Sequence, residues 1–306
     1  MKSTAWSSYK TYLRNGEGLY MLLAKLGMKK SDPDDVFLCH AYKARFGKEL
    51  DLEHPKTFNE KLLWLKLHDR NPLYTLLVDK CEVKKQVAGL VGDECIIPTL
   101  GVWDRASDID FDRLPDQFVL KCTHDSASVI VCRDKKHFDC RAAMKKLDRA
   151  LRRNFFSATR EWPYKNVKPR ILAEQYLQDE TGELADYKIH NFNGTPRFVL
   201  VCRNRFSPSG MTEDFYSPSW EHLPVQREYH KNSATPVECP PEMGAMLELS
   251  KTLARGFPFV RTDFYVVDHR IFFGEMTFYP QSGLGLFFPS EWDSTFGSWL
   301  TLPTES

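Results

Sequence analysis

The stretch Phe259-Val-Arg-Thr-Asp-Phe-Tyr-Val-Val-Asp-His-Arg-Ile-Phe-Phe-Gly-Glu-Met-Thr-Phe-Tyr279 decides the fold. Two runs rich in aromatic and β-branched residues flank Asp268-His269-Arg270, which predicts a β-hairpin. Side chains alternate between the faces of a strand, so the even positions, Phe272 among them, form a mostly apolar face. The odd positions carry the polar side chains Arg261, Asp263, Glu275 and Thr277. The hairpin therefore has one core face and one charged face.

The length of the turn decides which acids meet. A three-residue loop at 268–270 pairs Val267 with Ile271 and places Asp263 opposite Glu275. A two-residue loop shifts the register and separates the acids. Opposed carboxylates repel unless they are neutralised, either by Mg²⁺, which prefers hard oxygen ligands, or by the arginine on the same face. The pattern alone leaves both alternatives open.

Helical patterning dominates residues 1 to about 90. Thr57 followed by Glu60 is a capping box that predicts a helix start, and a second helix is predicted from Tyr74 to Leu90. Two more helices are predicted further on, at about 139–156 and 241–255. The first of these is strongly basic, which indicates a phosphate-binding surface or, more simply, a solvated helix face.

Short apolar runs predict the strands. They lie at 118–122, 129–132, 170–176, 187–192 and 198–202. The section from about 206 to 245 is rich in proline and serine and predicts a long loop. Antiparallel sheets segregated from helices are typical of an α+β fold.

Lys121 interrupts the apolar run at 118–122. A lysine inside an apolar strand must neutralise an anion or reach water, because an unpaired buried ammonium is costly. The polar turn from Thr123 to Ser128 follows directly, and its N–H groups suit phosphate oxygens, although the turn contains no glycine. The alternative is an edge-strand lysine at the protein surface.

Composition excludes several function classes. The 306 residues carry 42 basic and 41 acidic side chains, so a net charge of +1 gives no global attraction to nucleic acid or anionic membranes. Eight cysteines form no CxxC pair, and the polar start lacks a signal core, which predicts reduced thiols in a cytoplasmic protein. No apolar run is long enough for a transmembrane segment. Zinc, nucleophile-elbow and P-loop motifs are missing from the sequence.

The order of these pieces resembles an ATP-grasp enzyme. The motifs that carry this resemblance are Asp79-Lys80-x-x-x-Lys84, Phe118-Val-Leu-Lys121, Ile171-Leu-Ala-Glu174-Gln-Tyr-Leu177, Arg261-x-Asp263 and Glu275-x-Thr277. The TupA-like branch, associated with bacterial surface-polysaccharide clusters, is the most similar, over roughly residues 54–303. That similarity runs through His54-Pro-Lys-Thr-Phe-Asn-Glu-Lys61, Asp186-Tyr-Lys188, Phe192-Asn-Gly194, Gly274-Glu-Met-Thr277 and Pro289-Ser-Glu-Trp-Asp293.

The resemblance implies a set of site residues. The cofactor-binding residues are Lys80 and Lys121 on the α- and β-phosphates, Ser126 and Ser128 in the phosphate loop, Glu174 and Leu177 with backbone groups on adenine, and Asp186 on the ribose. The metal ligands are Asp263, Glu275 and Thr277 on Mg²⁺, and the catalytic residues are Arg261 on the transferring charge and Lys188 on the triphosphate. Three positions depart from the family pattern: Thr277 replaces a common asparagine, and Asp125 and Ala127 replace glycines.

The resemblance also implies the architecture and the chemistry. Residues 1–78 form a helical region that contributes to the acceptor site, and residues 79–306 form the ATP-grasp core. Within that core two α+β subdomains, at about 79–177 and 178–306, grip ATP between antiparallel sheets. The implied enzyme is an ATP- and Mg²⁺-dependent carboxylate–amine ligase that works through an acyl phosphate, on a uronic acid of a bacterial surface polysaccharide, such as a capsule, or its precursor. Arg203, Arg205, Tyr216 and Trp220 suit a sugar acid, and surface packing explains them equally well.

Two other function classes stay open. A phosphotransferase stops after phosphorylating a sugar, whereas a glycosyltransferase-associated module with a degenerate ATP site binds the nucleotide without turnover. The predicted partners are a small-molecule or polysaccharide-precursor carboxylate and an amine, with no nucleic acid.

Overall fold

The computed structural model describes residues 16–126, 128–179, 182, 184–205, 207 and 210–304. Five helices come first: α1 Gly16–Lys25, α2 Asp34–Phe46, α3 Phe58–His68, α4 Leu73–Val78 and α5 Glu82–Val91. The capping box predicted for α3 is confirmed, since the Thr57 side chain accepts from the Glu60 N–H and the Glu60 carboxylate accepts from the Thr57 N–H.

The prediction of a single helix from Tyr74 to Leu90 is wrong, because the helix is interrupted between α4 and α5. At the break, Asp79 Oδ1 accepts from the backbone N–H groups of Cys81 at 2.8 Å and Glu82 at 3.3 Å. A carboxylate in this position satisfies free N–H groups at the start of the following helix. Asp79 therefore starts a new helix, and Lys80 lies in the connection.

The first sheet has four strands: β1 Thr99–Trp103, β2 Phe118–Cys122, β3 Ile130–Cys132 and β4 Ile171–Gln175. Their order is β1-β4-β2-β3, and every pairing is antiparallel. The basic helix, α6 Cys140–Leu151, is shorter than predicted, and Asn154 caps a separate helix, α7 Phe155–Thr159. Leu147 of α6 packs with Phe118 and Leu120 of β2. One face of the first sheet is therefore apolar and is covered by α6.

The second sheet has six strands: β5 Asp186–Phe192, β6 Thr195–Arg203, β7 Thr212–Tyr216, β8 His222–Leu223, β10 Phe259–Val267 and β11 Arg270–Thr277. Their order is β11-β10-β5-β6-β7-β8. A two-stranded pair joins β9 Gln226–Arg227 to β12 Phe287–Phe288, and the last helices are α8 Met243–Leu253 and α9 Glu291–Trp299. The long loop predicted at 206–245 is wrong in part, because β7, β8 and β9 lie within it.

One large apolar core joins the N-terminal helices to the second sheet. Phe58 of α3 lies with its ring centroid 5.4 Å from that of Phe192 and 5.0 Å from that of Phe259. Leu62 on the same helix is fully buried in this core. Helix α3 therefore packs directly on the second sheet, and the proposed division at residue 78 stays a prediction. Within the described part of the chain, no helix has the length and apolar character needed to cross a bilayer.

Candidate active site

The hairpin turn is shorter than predicted. Asp268 and His269 have φ values of +50° and +59°, and Val267 pairs with Arg270. Two successive left-handed residues are typical of the type I′ turn that closes two-residue hairpins. The predicted three-residue loop is therefore wrong, and its register at the turn is wrong with it.

A β-bulge at Gly274 restores the predicted pairing of the acids. Phe264 pairs with Phe273, but one step further along β10 Asp263 pairs with Glu275, so β11 contributes one extra residue. A Cβ on Gly274 would lie only 3.2 Å from the Asp263 carbonyl oxygen, which explains a glycine here. The bulge also exchanges the faces beyond it, so Phe273 rather than the predicted Phe272 joins the core.

Arg261 links the two acids of the hairpin. Its Nε and Nη2 donate to Asp263 Oδ1 and Oδ2 at 2.6 and 2.7 Å, and Nη2 also donates to Glu275 Oε1 at 2.7 Å. Thr277 Oγ1 lies 3.4 Å from the same Glu275 oxygen. Arg261 therefore contacts both carboxylates, as one of the two alternatives from the sequence predicts, and its charge offsets their repulsion.

A second cation reaches Asp263 from the neighbouring strand. Lys188 of β5 pairs with Asp263 in register, and its Nζ donates to that carboxylate and lies 2.7 Å from Asp186 Oδ2. Burial opposes the charge on Lys188, yet Asp186 and Asp263 together hold its pKa above the usual value. Arg205 Nη2 donates to Asp186 at 2.8 Å, while Asp186 Oδ1 is buried with no hydrogen-bond partner among the described residues.

Two lysines, Lys121 of β2 and Lys84 of α5, meet at one carboxylate of the first sheet. Lys121 Nζ forms an ion pair with Glu174, and Lys84 Nζ lies 2.5 Å from the other oxygen of that carboxylate. Burial raises the pKa of Glu174, but the two lysines outweigh it and leave the pKa below the usual value. Because β4 lies between β1 and β2, the Glu174 backbone faces sheet neighbours, Thr99 and Val119, and its side chain faces the lysines. This placement does not favour the predicted contact of its backbone with adenine.

Lys80 lies between the first sheet and the acidic hairpin. Its backbone N–H donates to Thr123 O at 3.1 Å, and its Nζ donates to Asp125 O. Burial lowers the pKa of Lys80, and the nearby charge of Glu275 acts in the opposite direction. Lys80 therefore lies between the turn at 123–128 and the acidic hairpin, so the two predicted lysines do share one cleft.

The glycine-free turn is closed by its own side chains. Ser128 Oγ donates to Asp125 Oδ1 at 2.6 Å and accepts from the Cys122 N–H at 2.7 Å. The Ser128 hydroxyl is therefore used within the turn, whereas Ser126 is exposed. Ala127 lies outside the described residues.

A cavity of about 440 Å³ lies between the two sheets. Its apolar lining includes Val119, Val131 and Leu177, and its polar lining includes Lys121, Glu174, Asp186, Arg205 and Tyr265. An apolar body with a few convergent polar groups is typical of a ligand pocket. Its mixed lining suits a ligand that carries both an apolar ring and anionic groups.

Two of these residues were not assigned by the sequence. Lys84 stands four residues after Lys80 in the quoted motif, yet only the structure shows it on Glu174. Arg205 was noted for sugar acids, whereas its partner is Asp186. The motif spacing was a signal for Lys84, whereas Arg205 follows β6 and reaches Asp186 only because β5 and β6 pair.

A protein-family model identifies the family of this chain. The TupA-like ATP-grasp model matches residues 60–301, which is most of the chain. The chain belongs to the TupA-like ATP-grasp family. The predicted family and, with it, the ATP-grasp fold class are confirmed. No curated protein matches the chain.

Solved structures with similar folds include other ATP-grasp proteins. The D-alanine–D-alanine ligase of Bacillus anthracis complexed with ATP is 16% identical, with a TM-score of 0.37, over 66% of this chain and 55% of that one. The Helicobacter pylori D-alanine–D-alanine ligase is 17% identical, with a TM-score of 0.40, over 74% and 62%. An ATP-grasp ligase named PsnB, complexed with Mg and ADP, is 10% identical, with a TM-score of 0.38, over 73% and 56%. The TupA-like chain thus spans little more than half the length of these proteins.

The residues present fit ATP and Mg²⁺. Mg²⁺ usually takes one or two carboxylates together with substrate phosphates, and Asp263 and Glu275 supply that donor set at adjacent positions. The unpartnered, buried Asp186 Oδ1 offers an acceptor that a ribose hydroxyl satisfies. Among the described residues no group of three or more His, Cys, Asp or Glu side chains is placed to hold a metal ion.

Proposed function

We propose that this TupA-like ATP-grasp enzyme is an ATP- and Mg²⁺-dependent carboxylate–amine ligase. It acts on a uronic acid of a bacterial surface polysaccharide or its precursor, and it forms an amide through an acyl phosphate. A carboxylate is a poor electrophile, so phosphorylation supplies the leaving group that an amine then displaces. The proposed setting is the cytoplasm.

The observation that supports this proposal is the division of charge across the cleft. Lys84 and Lys121 share a single carboxylate, Glu174, and Lys80 donates to the Asp125 carbonyl oxygen, so this side has cationic capacity to spare for phosphates. The opposite side brings Asp263 and Glu275 together around Arg261. Such an arrangement suits a metal-bound triphosphate that spans the two sheets.

Each residue has a proposed task. Lys80 and Lys121 hold the phosphates as point charges, with Lys84 supporting Lys121 through Glu174. Asp263, Glu275 and Thr277 would hold Mg²⁺, and bound ATP supplies the phosphoryl group. The Arg261 guanidinium, which contacts both carboxylates, would stabilise the charge that develops on the transferring group. Lys188 remains beside Asp263 and orients that carboxylate.

The residues proposed for adenine and ribose line the cavity between the sheets. Leu177 lies in the apolar lining with Val119 and Val131, which suits the adenine ring. Asp186 lines the same cavity and is proposed to accept from the ribose. Ser126 and the turn N–H groups are proposed to contact phosphate, while Ser128 shapes the turn.

The sugar-acid contacts need revision. The Tyr216 and Trp220 rings stack with centroids 4.5 Å apart, and Trp220 Nε1 donates to Val237 O, so both serve packing. Arg203 donates to Ser233 Oγ at 3.0 Å. Arg205 alone of the four lines the cavity. The acceptor acid must therefore be recognised elsewhere, near the metal residues.

A hydroxylamine assay tests the ligase proposal. With ATP, Mg²⁺ and a panel of uronic acids, the wild type should release ADP and give an acyl hydroxamate, because hydroxylamine traps acyl phosphates. Glu275→Gln should abolish both products, whereas Glu248→Gln, an exposed position on α8, should leave them unchanged. ADP release with a sugar that lacks a carboxylate, and no hydroxamate, would show a kinase instead. Neither product in any mixture would indicate the degenerate module.

A further inference from the structure

The outer face of α6 and the residues directly after it carry cations that the proposed reaction does not use. Five exposed side chains form what we call the basic stripe: Arg141, Lys145, Arg149, Arg152 and Arg153. The first three recur at every fourth position, so they lie on one side of the helix, about 6 Å apart along its axis. The opposite side packs through Leu147 and Ala150 into the core of the first sheet. The basic stripe therefore faces solvent.

The basic stripe lines a groove of about 590 Å³, in which Asp148 is the one acid among the described lining residues. In the part of the chain that the structure describes, none of the five cations forms an ion pair with a carboxylate. By contrast, the exposed cations Arg105, Arg113 and Lys168, near other strands of the first sheet, each pair with an aspartate, at 3.2, 3.2 and 2.8 Å. The groove therefore holds positive charge that the protein does not neutralise.

The placement of these cations opposes the stability of α6. Like charges four residues apart repel, so Lys145 is unfavourable beside both Arg141 and Arg149. Arg141 also lies in the first turn, where the helix dipole disfavours a cation, and that turn contains no acidic residue after its cap, Asp139. A face that served only to solvate the helix would carry charges of both signs. The basic stripe therefore indicates an anionic ligand.

Two hydrogen bonds join the basic stripe and α6 to the polar turn that is proposed to contact phosphate. His124 of this turn is 3% exposed, and its Nε2 lies 3.1 Å from Arg153 O. Lys146 of α6 donates from Nζ to Val129 O at 2.9 Å, at the other end of the turn. The side chain of Lys80 donates to the same turn. The basic stripe therefore ends beside one edge of the proposed phosphate site.

The residues that line the groove indicate the class of ligand. Guanidinium groups bind carboxylates and phosphates through two parallel hydrogen bonds, and cations repeated along one line suit an anionic polymer. Among the described lining residues Met144 is the one large apolar side chain, and none is aromatic. The groove thus offers neither a stacking surface for nucleic-acid bases nor an apolar anchor for a bilayer. Basic patches also bind acidic polysaccharides such as heparin, and this class fits the groove best.

We propose that the basic stripe is an accessory binding site for an acidic polysaccharide, a chain of uronic acids, and that it holds this polymer while one of its sugars reacts in the cleft. The inference deepens the proposed ligase function and rests on it for the reacting sugar. It identifies the acceptor as a polymer, since a single uronic acid meets only part of the basic stripe. Binding along the basic stripe keeps further sugars of the same chain near the cleft and raises their effective concentration there.

A paired substitution and a matched control test the inference. Arg141→Gln with Arg149→Gln removes two cations of the basic stripe, whereas Lys251→Gln with Arg255→Gln removes two exposed cations at and just beyond the end of α8. Both proteins should fold like the wild type, because all four side chains are exposed. The first pair should weaken binding of a fluorescent oligogalacturonate about ten-fold, the scale of two exposed ion pairs, and the control pair should not. Fluorescence anisotropy measures this binding, which added salt should weaken.

The hydroxamate assay should show the same loss for the oligomer only. With the Arg141→Gln/Arg149→Gln protein, the KM for oligogalacturonate should rise, while kcat and the KM for D-galacturonate should stay at the wild-type values. Calorimetry should give an unchanged affinity for a non-hydrolysable ATP analogue with Mg²⁺. An equal rise in both KM values, or a parallel loss of analogue affinity, would overturn the inference. Tighter binding of single-stranded DNA or of phosphatidylglycerol vesicles than of the oligomer would also overturn it.

Direct binding separates this inference from the proposed function. If the wild type gives no hydroxamate with any acid, the ligase proposal fails. Oligomer binding that the Arg141→Gln/Arg149→Gln pair weakens would then still support the accessory site. If hydroxamate forms but this pair binds the oligomer like the wild type, the accessory site fails and the ligase proposal stands.

Discussion

The proposed nucleotide side of the cleft consists of Lys80, Lys84, Lys121 and Glu174, and the proposed metal side consists of the acidic hairpin and β5. On the nucleotide side two lysines share one carboxylate, whereas on the metal side each carboxylate already contacts a cation of its own sheet. Lys84 and Lys121 both pair with Glu174, and the side chain of Lys80 donates to the Asp125 carbonyl oxygen. Across the cleft, Arg261 and Lys188 occupy the oxygens of Asp263 and neighbouring acids.

This difference indicates which side of the cleft binds its ligand with less rearrangement. A triphosphate adds anionic oxygens where cations are in excess, so the nucleotide side needs little rearrangement. On the metal side a cation must compete with guanidinium and ammonium groups that hold the same oxygens. We therefore expect the metal side to be set by its internal ion pairs in the free protein and to rearrange when the metal-bound nucleotide enters.

Asp263→Asn should have the largest effect, because it leaves two buried cations without their main partner. Removing one member of a buried charge group typically costs about 3–5 kcal/mol, and Asp263 is 1% exposed. Urea unfolding should show a loss of that size together with loss of ATP turnover. Asp268→Asn in the exposed hairpin turn is the control and should unfold like the wild type. A fully stable Asp263→Asn protein would show that the ion pairs do not hold the metal side.

Lys121→Met should weaken nucleotide binding without unfolding the protein, since Lys84 still neutralises Glu174 and the methylene stem still packs. A lost charged hydrogen bond predicts a fall in affinity for the ATP analogue of roughly ten- to a hundred-fold. Calorimetry measures it, with Lys85→Met, an exposed lysine of α5, as the control. Equal affinity of Lys121→Met and wild type would remove Lys121 from the phosphate site.

Acid should weaken the metal side before the nucleotide side. Burial, and then the charge of Arg261, lowers the pKa of His190 well below 6.5, so below pH 6.5 the unfolded chain binds a proton that the folded chain refuses. Stability should therefore fall as the pH drops below 6.5, by up to about 1.4 kcal/mol per pH unit. The pKa of Glu174 is lowered below 4.5, so its contribution should persist until the pH falls below 4.5.

Urea unfolding between pH 7 and pH 4 checks these two windows. His190→Phe should flatten the loss just below pH 6.5, whereas Glu174→Gln should be less stable at pH 7 and change only the loss below pH 4.5. The same slope below pH 6.5 in wild type and His190→Phe would contradict the assignment.

Glu275→Gln should have the smallest effect on stability. Loss of one of two repelling carboxylates would raise the melting temperature, but Arg261 lies between Asp263 and Glu275 and offsets their repulsion. Because the Glu275 side chain is 36% exposed, loss of this contact should cost about 1 kcal/mol or less. Calorimetric melting without Mg²⁺ measures the change. A rise in melting temperature would restore the repulsion interpretation.

The bulge at Gly274 shows where sequence reasoning reached the right pairing by the wrong route. Alternation placed Asp263 and Glu275 on one face, which is correct, but the register rested on a three-residue turn. The structure has a two-residue turn and an extra residue in β11, and the two errors cancel. Local pattern predicts the face of a side chain only while alternation is unbroken, as it is not at Gly274, and register depends on the pairing of two strands.

The sequence by itself determined the capping box of α3, most of the strands, the α+β class and the motifs that the family model matches at residues 60–301. These depend on neighbours within a few positions or on motif order. Tertiary structure alone decided that Lys84 shares Glu174 and that Arg261 separates the acids. Those contacts join positions far apart in the chain, and a charge is stable there only because packing brings its partner within hydrogen-bond distance.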